Sequence, residues 1–181
     1  IIINDNPLKK SNSLILNYFK SIDDRIFLIT NKKNIGLTKS LNKGVKYSSR
    51  KYIATMDADD ICFKNRFELQ LNFLEDNLDY ILCGSSRIDF NNETSKEIIL
   101  PKKDEDIKTE LLLRNCITHP TVMLRSCVFK THNISYDENI KKSQDYNLWV
   151  KISHLGKFKN LETPLIKYRL SNNQISNINY S

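Results

Sequence analysis

The stretch Lys51-Tyr-Ile-Ala-Thr-Met-Asp57-Ala-Asp59-Asp60-Ile61, an apolar run that stops in three carboxylates, constrains the fold of this 181-residue chain more than any other. A short run with β-branched and aromatic residues, entered from Ser48-Ser49-Arg50, reads as a buried strand rather than a helix. Its acids then stand at the carboxyl end of that strand. Ligands bind at that end of an open α/β sheet, and a carboxylate pair there suits a hard divalent cation bridging to phosphate oxygens. The same residues also read as a solvated acidic loop after a strand, and Asp-x-Asp alone does not separate the two.

The surrounding pattern bears on that choice. Ile1-Ile2-Ile3 reads as a strand running out to Asp5, and Leu14, Ile15, Tyr18, Phe19 and Ile22 recur at helical spacing behind Ser11-Asn12-Ser13. Arg25 to Thr30 is a second strand and Thr38 to Tyr47 a second helix, with Leu37, Leu41 and Val45 on one face. The order up to the acids is βαβαβ, which predicts a mostly parallel sheet of the nucleotide-binding kind. Beyond them, Phe63, Phe67, Leu71, Leu74 and Leu78 mark a third helix and Tyr80 to Ser85 a strand.

From Arg87 the texture changes. Arg87 to Phe90 and Glu97 to Leu100 flank Asn91-Asn92-Glu93 as a small antiparallel β insertion, and Asp104 to Arg114 reads as helix. A polar loop, Asn115 to Pro120, leads to a strand at Thr121 to Leu124; a helix follows at Asp145 to Leu155, then short strands at Phe158 to Leu161 and Leu165 to Leu170. One domain over 1–170 with an Asn- and Ser-rich tail at 171–181 is the expected organisation. Because strand character starts at the first residue, a segment preceding Ile1 is expected as well.

A net charge of +7, from 28 basic and 21 acidic residues, favours phosphorylated ligands, nucleic acid or an anionic membrane face. The lysines are scattered and carry no aromatic-basic signature, which argues against nucleic acid. No apolar stretch is long enough for a bilayer and no leader pattern is present. Cysteines 62, 83, 116 and 127 lack Cys-x-x-Cys spacing, so reduced, packed thiols in a cytoplasmic protein are expected, without zinc.

Three further residues carry candidate chemistry. Asp5 ends the first strand, where it caps a turn or joins Asp57 and Asp59 in reading a nucleotide. Asp145 falls in the first turn of a helix, where the dipole stabilises a carboxylate, and there it can also serve as a general base. His119, before Pro120, is a polar loop residue with either a structural or a catalytic part. Neither Gly-x-Gly-x-x-Gly nor Gly-x4-Gly-Lys-Ser/Thr occurs, which disfavours dinucleotide and P-loop chemistry. A strand ending in Asp-x-Asp also opens haloacid-dehalogenase-type phosphatases, but there it lies on the first strand of the domain, whereas here about two βα units precede it.

The order of motifs says more than any one of them. Ile-Ile-Asn-Asp5, Asn34-Ile-Gly36-Leu-Thr-Lys-Ser-Leu-Asn42-Lys-Gly44, the Asp57-Ala-Asp59-Asp60 strand end, Asn65-Arg66-Phe, His119-Pro120-Thr-Val-Met and Gln144-Asp145-Tyr-Asn-Leu-Trp149 together resemble family 2 glycosyltransferases of the GT-A fold. The resemblance implies an α/β, Rossmann-like, mostly parallel central sheet flanked by helices. It implies that Asp5 contacts the nucleoside base, Asp57 the ribose or metal region, and Asp59 a Mg2+ or Mn2+ on the diphosphate. Asp145 is then the catalytic base, Asn34 and Arg66 belong to the nucleotide-sugar site, and His119, Gln144 and Trp149 lie toward the acceptor.

The implied activity is inverting, metal-dependent hexosyl transfer from a nucleotide sugar, expected to be a UDP-sugar, to a glycan or lipid-linked acceptor in polysaccharide biosynthesis. A lipid-linked acceptor would bring the basic chain to the inner face of a membrane as a peripheral partner. The chain departs from the family pattern at Asn6-Pro7, where Gly-Ser is common, and at Leu41, where Arg is frequent; the family's first strand, with its Pro-x-Tyr-Asn-like loop, lies ahead of Ile1. Gln-x-x-Arg-Trp is missing, which favours a single-transfer enzyme. The non-enzymatic alternative is a nucleotide-binding remnant lacking its first βα unit.

Overall fold

The computed structural model describes residues 1–171; the expected polar tail lies outside the described residues except for Ser171. In chain order the first half comprises β1 (Ile2–Asn4), α1 (Lys10–Ile22), β2 (Leu28–Thr30), α2 (Leu37–Tyr47), β3 (Tyr52–Ala54), β4 (Ile61–Cys62), α3 (Arg66–Asp76) and β5 (Tyr80–Ser85). The second half comprises β6 (Arg87–Phe90), β7 (Ser95–Ile98), α4 (Asp104–Glu110), a 3-10 turn at His119–Thr121, β8 (Met123–Arg125), α5 (Cys127–Lys130), α6 (Gln144–Ile152), β9 (Lys157–Leu161) and β10 (Ile166–Arg169). No helix among the described residues is long and apolar enough to cross a membrane.

The α/β class and the βαβαβ order are as expected. The pairing is mixed rather than mostly parallel: β8 lies between β3 and β5 and runs antiparallel to both, while β5 pairs β9 in parallel. The reason is topological, since β8 returns from the excursion that begins at β6 and enters the sheet through the His119–Thr121 turn, not through a crossover helix. Leu82 faces Leu124 and Cys83 faces Met123 across the β5–β8 pair. The pleat sends the first couple to one side, with Leu148, Trp149 and Ile152 of α6, and the second to the other, with Leu74 of α3. Both sides of this sheet are therefore core.

A second four-stranded sheet, in the order β4-β10-β6-β7, contains the expected antiparallel insertion as the β6–β7 hairpin. β1 and β2 form a separate parallel pair, and Gly44 of α2 lets that helix approach it closely: a Cβ at Gly44 would meet Ile3 Cδ1 at 3.4 Å. Leu14, Ile15, Tyr18, Phe19 and Ile22 do fall on α1 as their spacing predicts, yet all are exposed. β1 and β3 do not pair with one another among the described residues. A cleft of about 1110 Å3 opens instead, with Ile1, Ile3, Leu41, Val45 and Ile53 in its wall and Asp57, His119 and Tyr136 on its lining. All four cysteines are free thiols, as expected, but Cys62 and Cys127 are exposed rather than packed.

Gly84 and Asn160 face each other across β5 and β9, and Asn160 is fully buried with its amide donating to Pro101 O at 2.8 Å and Cys116 O at 3.2 Å. A Cβ on Gly84 would overlap Asn160 Oδ1 and press on Thr121 Oγ1 at 3.3 Å. Gly84→Ala is expected to destabilise the protein by about 2 kcal/mol, read as a lower urea midpoint at unchanged slope.

Candidate active site

The acidic loop leaves β3 at Thr55, which is buried. The Thr55 N–H donates to Val122 O at 2.9 Å and its hydroxyl donates to His119 O. Arg66 holds the same corner from behind: Nη2 donates to Thr55 O at 2.9 Å and to Val122 O at 3.3 Å, and Nε to Gln70 Oε1 at 3.0 Å. Gln70 passes the tie on to Cys83 O at 2.6 Å and Thr121 O at 2.7 Å. Arg66, expected at the nucleotide-sugar site, is 0% exposed with its guanidinium bonded to the protein interior, where it is a strut for the loop.

From the other side, the Arg169 N–H donates to Asp60 Oδ1 at 2.8 Å and its Nε to Asp59 O at 2.8 Å. The loop is thus gripped between two arginines, one opening α3 and one on β10, and its acids cannot splay apart freely. Asp57 is pushed up to about 6, chiefly by burial and then by the charges of Asp60, Asp59 and Asp145. Burial also pushes Asp60 up, partly offset by the Arg169 N–H, and its Oδ2 is buried without a partner. Every influence on Asp57 opposes its charge, which is the electrostatic setting of a cation site.

The donor set fits a hard cation shared with a ligand. Among the described residues no three metal-ligating side chains are gathered into a cage. Asp57 and Asp59 supply two carboxylates on one short loop, and a magnesium-like ion of this class takes its remaining ligands from water and substrate phosphates.

Asp145 sits in the first turn of α6, as its position predicts, just after Ser143, which takes the left-handed conformation at φ 56. Asn115 Nδ2 donates to Asp145 Oδ2 at 2.8 Å. His119 is partly buried; its Nε2 lies 3.0 Å from Tyr136 Oη and its ring is 6.0 Å from that of Trp149. Burial holds His119 below its ordinary value, with the Asp145 charge pulling the other way, so its ring is neutral at pH 7. Tyr136 is raised by burial and then by Asp145 and Asp57. Asp57, Asp59, Asp60, Asp145, His119 and Tyr136 are therefore one electrostatic group drawn from distant parts of the chain.

Three of its supports escaped the sequence reading. Tyr136 lies in an irregular loop with no periodicity, and Asn115 is one polar residue among several. Asn42, on α2, clasps the Tyr136 backbone at both ends: it accepts from the Tyr136 N–H at 3.0 Å and donates to Tyr136 O at 2.9 Å. A clasp across 94 residues leaves no local trace. Trp149, expected toward the acceptor, is 0% exposed and packed in the core behind His119 with its indole N–H unpartnered. Gln144 is the first residue of α6 and is half-buried beside Asp145.

Asp5 uses both carboxylate oxygens inside the protein. Oδ1 accepts from Asn31 Nδ2 and the Ile35 N–H, and Oδ2 from the Gly36 N–H, each at 2.8 Å. Burial on its own would raise Asp5, but the Ile35, Asn31 and Gly36 donors together hold it below its ordinary value. Gly36 adopts φ 90, which a side chain would strain. Asn34 is exposed on this loop, its Oδ1 accepting from the Gly36 N–H at 3.1 Å. Asp5 is not among the charges that raise Asp57.

Comparison with known proteins gives a consistent picture. Residues 1–131 match the family described as glycosyl transferase family 2. An uncharacterized glycosyltransferase of Methanocaldococcus jannaschii is 38% identical over 95% of this chain and 60% of its own length. A protein of Escherichia coli named UDP-Glc:alpha-D-GlcNAc-diphosphoundecaprenol beta-1,3-glucosyltransferase WfgD is 31% identical over 85% of this chain and 59% of its own. The chain thus spans about 60% of the length of these curated relatives. Staphylococcus aureus TarS 1-349, crystallised with UDP-GlcNAc, superposes with a TM-score of 0.76 at 14% identity, over 99% of this chain and 51% of that one. That likeness shows the GT-A fold.

The raised Asp57 has a thermodynamic consequence. Its folded value of about 6 exceeds the ordinary 3.8, so between those values the folded state holds a proton that the unfolded state has lost. The stability contributed by Asp57 is therefore intact near pH 3.8 and declines as pH rises through about 6. In metal-free buffer, Asp57→Asn is expected to melt progressively higher than wild type as pH rises across that window, with the difference constant above it. Calorimetric melting temperatures of the two proteins against pH are the check.

Proposed function

The chain belongs to glycosyl transferase family 2, and on that premise we propose that it transfers a hexose, with inversion, from a UDP-sugar to a hydroxyl of a lipid-linked glycan acceptor in polysaccharide biosynthesis. The observation that carries the reading is the electrostatic group itself. Asp145, oriented by Asn115, stands close enough to Asp57 that its charge raises the Asp57 carboxyl. A base within electrostatic reach of an acid that can hold a diphosphate's cation is what a single displacement requires.

In that reaction Asp145 takes the proton of the acceptor hydroxyl as its oxygen bonds to the anomeric carbon. The bond from that carbon to the diphosphate breaks from the opposite side, and configuration inverts. A bound Mg2+ or Mn2+, held by Asp59 with Asp57, would offset the negative charge of the departing diphosphate. Neutral His119, with Nε2 against Tyr136, shapes the acceptor side without adding charge. Asp5 acts by shaping the 31–36 loop, on which exposed Asn34 is offered to the nucleotide. The UDP donor is supported by the nucleotide sugars in the names of WfgD and the TarS complex, and the lipid-linked acceptor by the name of WfgD.

The cleft between β1 and β3 favours a companion reading, in which the chain binds a nucleotide there without turning over a donor.

Calorimetry of UDP binding with and without Mn2+, together with donor hydrolysis, tests the proposal. Asp145→Ala is expected to keep Mn2+-dependent UDP binding while losing turnover by about 10^2 to 10^4-fold. Asp59→Ala is expected to lose the Mn2+ dependence of UDP binding. Unchanged turnover in Asp145→Ala overturns the assignment of the base. Nucleotide binding without turnover selects the companion reading.

A further inference from the structure

Lysines occur along the whole chain, but acids do not. From Arg25 to Met56 there are eight lysines and arginines and no aspartate or glutamate, so the net charge of +7 arises entirely within β2, α2, β3 and their connections. Two of the eight are answered from outside the stretch, Arg25 by Asp23 at 2.7 Å and Lys51 by Glu75 at 2.6 Å. Five of the others share one face.

Lys39, Lys43 and Lys46 follow one another at i, i+4 and i+7 on α2, which stacks them along one side of the helix. The opposite side is the packed one, with Leu41 and Val45 against the core and Gly44 against Ile3. Lys39 and Lys46 are exposed, and Lys43 is half-buried. The Lys43 Nζ donates to Asn31 Oδ1 at 2.6 Å, which brings the turn of exposed Lys32 and Lys33 up to the same face. Lysines on the outer side of a helix are ordinary where both signs are interspersed. Here α2 has no acid, lysines at these spacings repel one another, and Lys39 stands in the first turn, where a cation opposes the helix dipole.

Among the described residues no carboxylate bridges any of the five lysines. Two acids border the face. Asp5 lies behind Asn31 with both oxygens taken by Asn31, Ile35 and Gly36, and Glu138 accepts from Asn42 Nδ2 at 3.1 Å. A third, Asp24, is on the cleft lining, to which the packed side of α2 is turned. Counted against five lysines, the bordering pair leaves the face positive. A ligand in the cleft does not explain it, because Leu41, Gly44 and Val45 line the cleft and none of the five lysines does. The complement of such a face is a broad anionic surface. It offers no ring on which bases could stack, since the Tyr47 ring on α2 is paired with that of Phe27 at 5.8 Å; lipid headgroups are therefore favoured over nucleic acid.

We propose that Lys32, Lys33, Lys39, Lys43 and Lys46 form a docking face for an anionic bilayer, held to the headgroups by charge and not by insertion. Asn42, on the same helix, clasps Tyr136, which meets His119, so the helix that rests on the bilayer is the one that holds the His119 side of the site. That consequence for acceptor choice rests on the function proposed above; the binding itself does not.

Co-sedimentation with vesicles of phosphatidylcholine and phosphatidylglycerol in equal parts, against phosphatidylcholine alone, is the experiment. At low ionic strength wild type is expected to partition onto the anionic vesicles and not the neutral ones, and to be released at about 0.5 M salt, where screening acts within about 4 Å. Lys39→Gln/Lys46→Gln is expected to bind about 30-fold more weakly, about fivefold for each lysine removed. Lys96→Gln/Lys103→Gln makes the same change in net charge at exposed lysines of β7 and the start of α4, and is expected to stay within about twofold of wild type. Donor hydrolysis in solution is expected to be the same in all three proteins. Failure of wild type to bind anionic vesicles, binding that survives 0.5 M salt, or retention of binding by Lys39→Gln/Lys46→Gln overturns the docking face. So does an equal loss in Lys96→Gln/Lys103→Gln, or tighter binding to a DNA duplex than to vesicles at equal phosphate concentration. Absence of donor hydrolysis in wild type would instead overturn the catalytic reading and leave the vesicle result standing.

Discussion

The buried guanidinium of Arg66 is the contact on which the site depends most. It gathers carbonyls from the end of β3 and the start of β8, and Gln70 extends the same network to β5 and the His119–Thr121 turn. Burial lowers the Arg66 pKa by penalising its charge. That cost is offset because the guanidinium satisfies Thr55 O at the start of the acidic loop and braces Val122 O, which also accepts from the Thr55 N–H. The acidic loop, the His119 turn and the core sheet are therefore referred to one rigid point.

Rigidity at that point permits an arrangement that electrostatics opposes. The charges of Asp60, Asp59 and Asp145 all act against half-buried Asp57, and among the described residues no salt bridge relieves it. Arg169 partly answers Asp60, and its hold on the Asp59 carbonyl keeps the loop from relaxing outward. Such crowding is costly in a free protein and favourable once a cation and a diphosphate are present, because the same carboxylates then become ligands. A site that withholds stability in one state and returns it in the bound state has a built-in preference for the ligand.

Legibility from sequence followed the range of each interaction. Helical and strand periodicity are local, so the βαβαβ order, β5, the β6–β7 hairpin and α6 were readable, as was the place of Asp145 in a first helical turn. Long-range hydrogen bonding was not. Arg66 and Trp149 carry the chemistry of binding residues and were read as such, yet both are sealed in the interior, where a guanidinium or an indole also serves to fill space and tie carbonyls. Tyr136 and its clasp by Asn42 span 94 residues and have no sequence period at all. The antiparallel course of β8 was hidden because strand direction depends on how the chain returns, not on the residues within the strand.

The sequence by itself determined the alphabet of the site: three carboxylates following a strand that proves only half-buried, one more opening a late helix, and motifs in family order between them. Those are consequences of side-chain pattern and nearest-neighbour geometry, which any fold must respect. Only the tertiary structure decided which polar residues face the cleft and which are spent holding it, because burial and hydrogen-bond satisfaction depend on chain segments that meet only after folding. It likewise decided that Leu111 and Asn115, beyond α4, stand beside the first turn of α6, through hydrogen bonds to Tyr146 and Asp145 some 30 residues away.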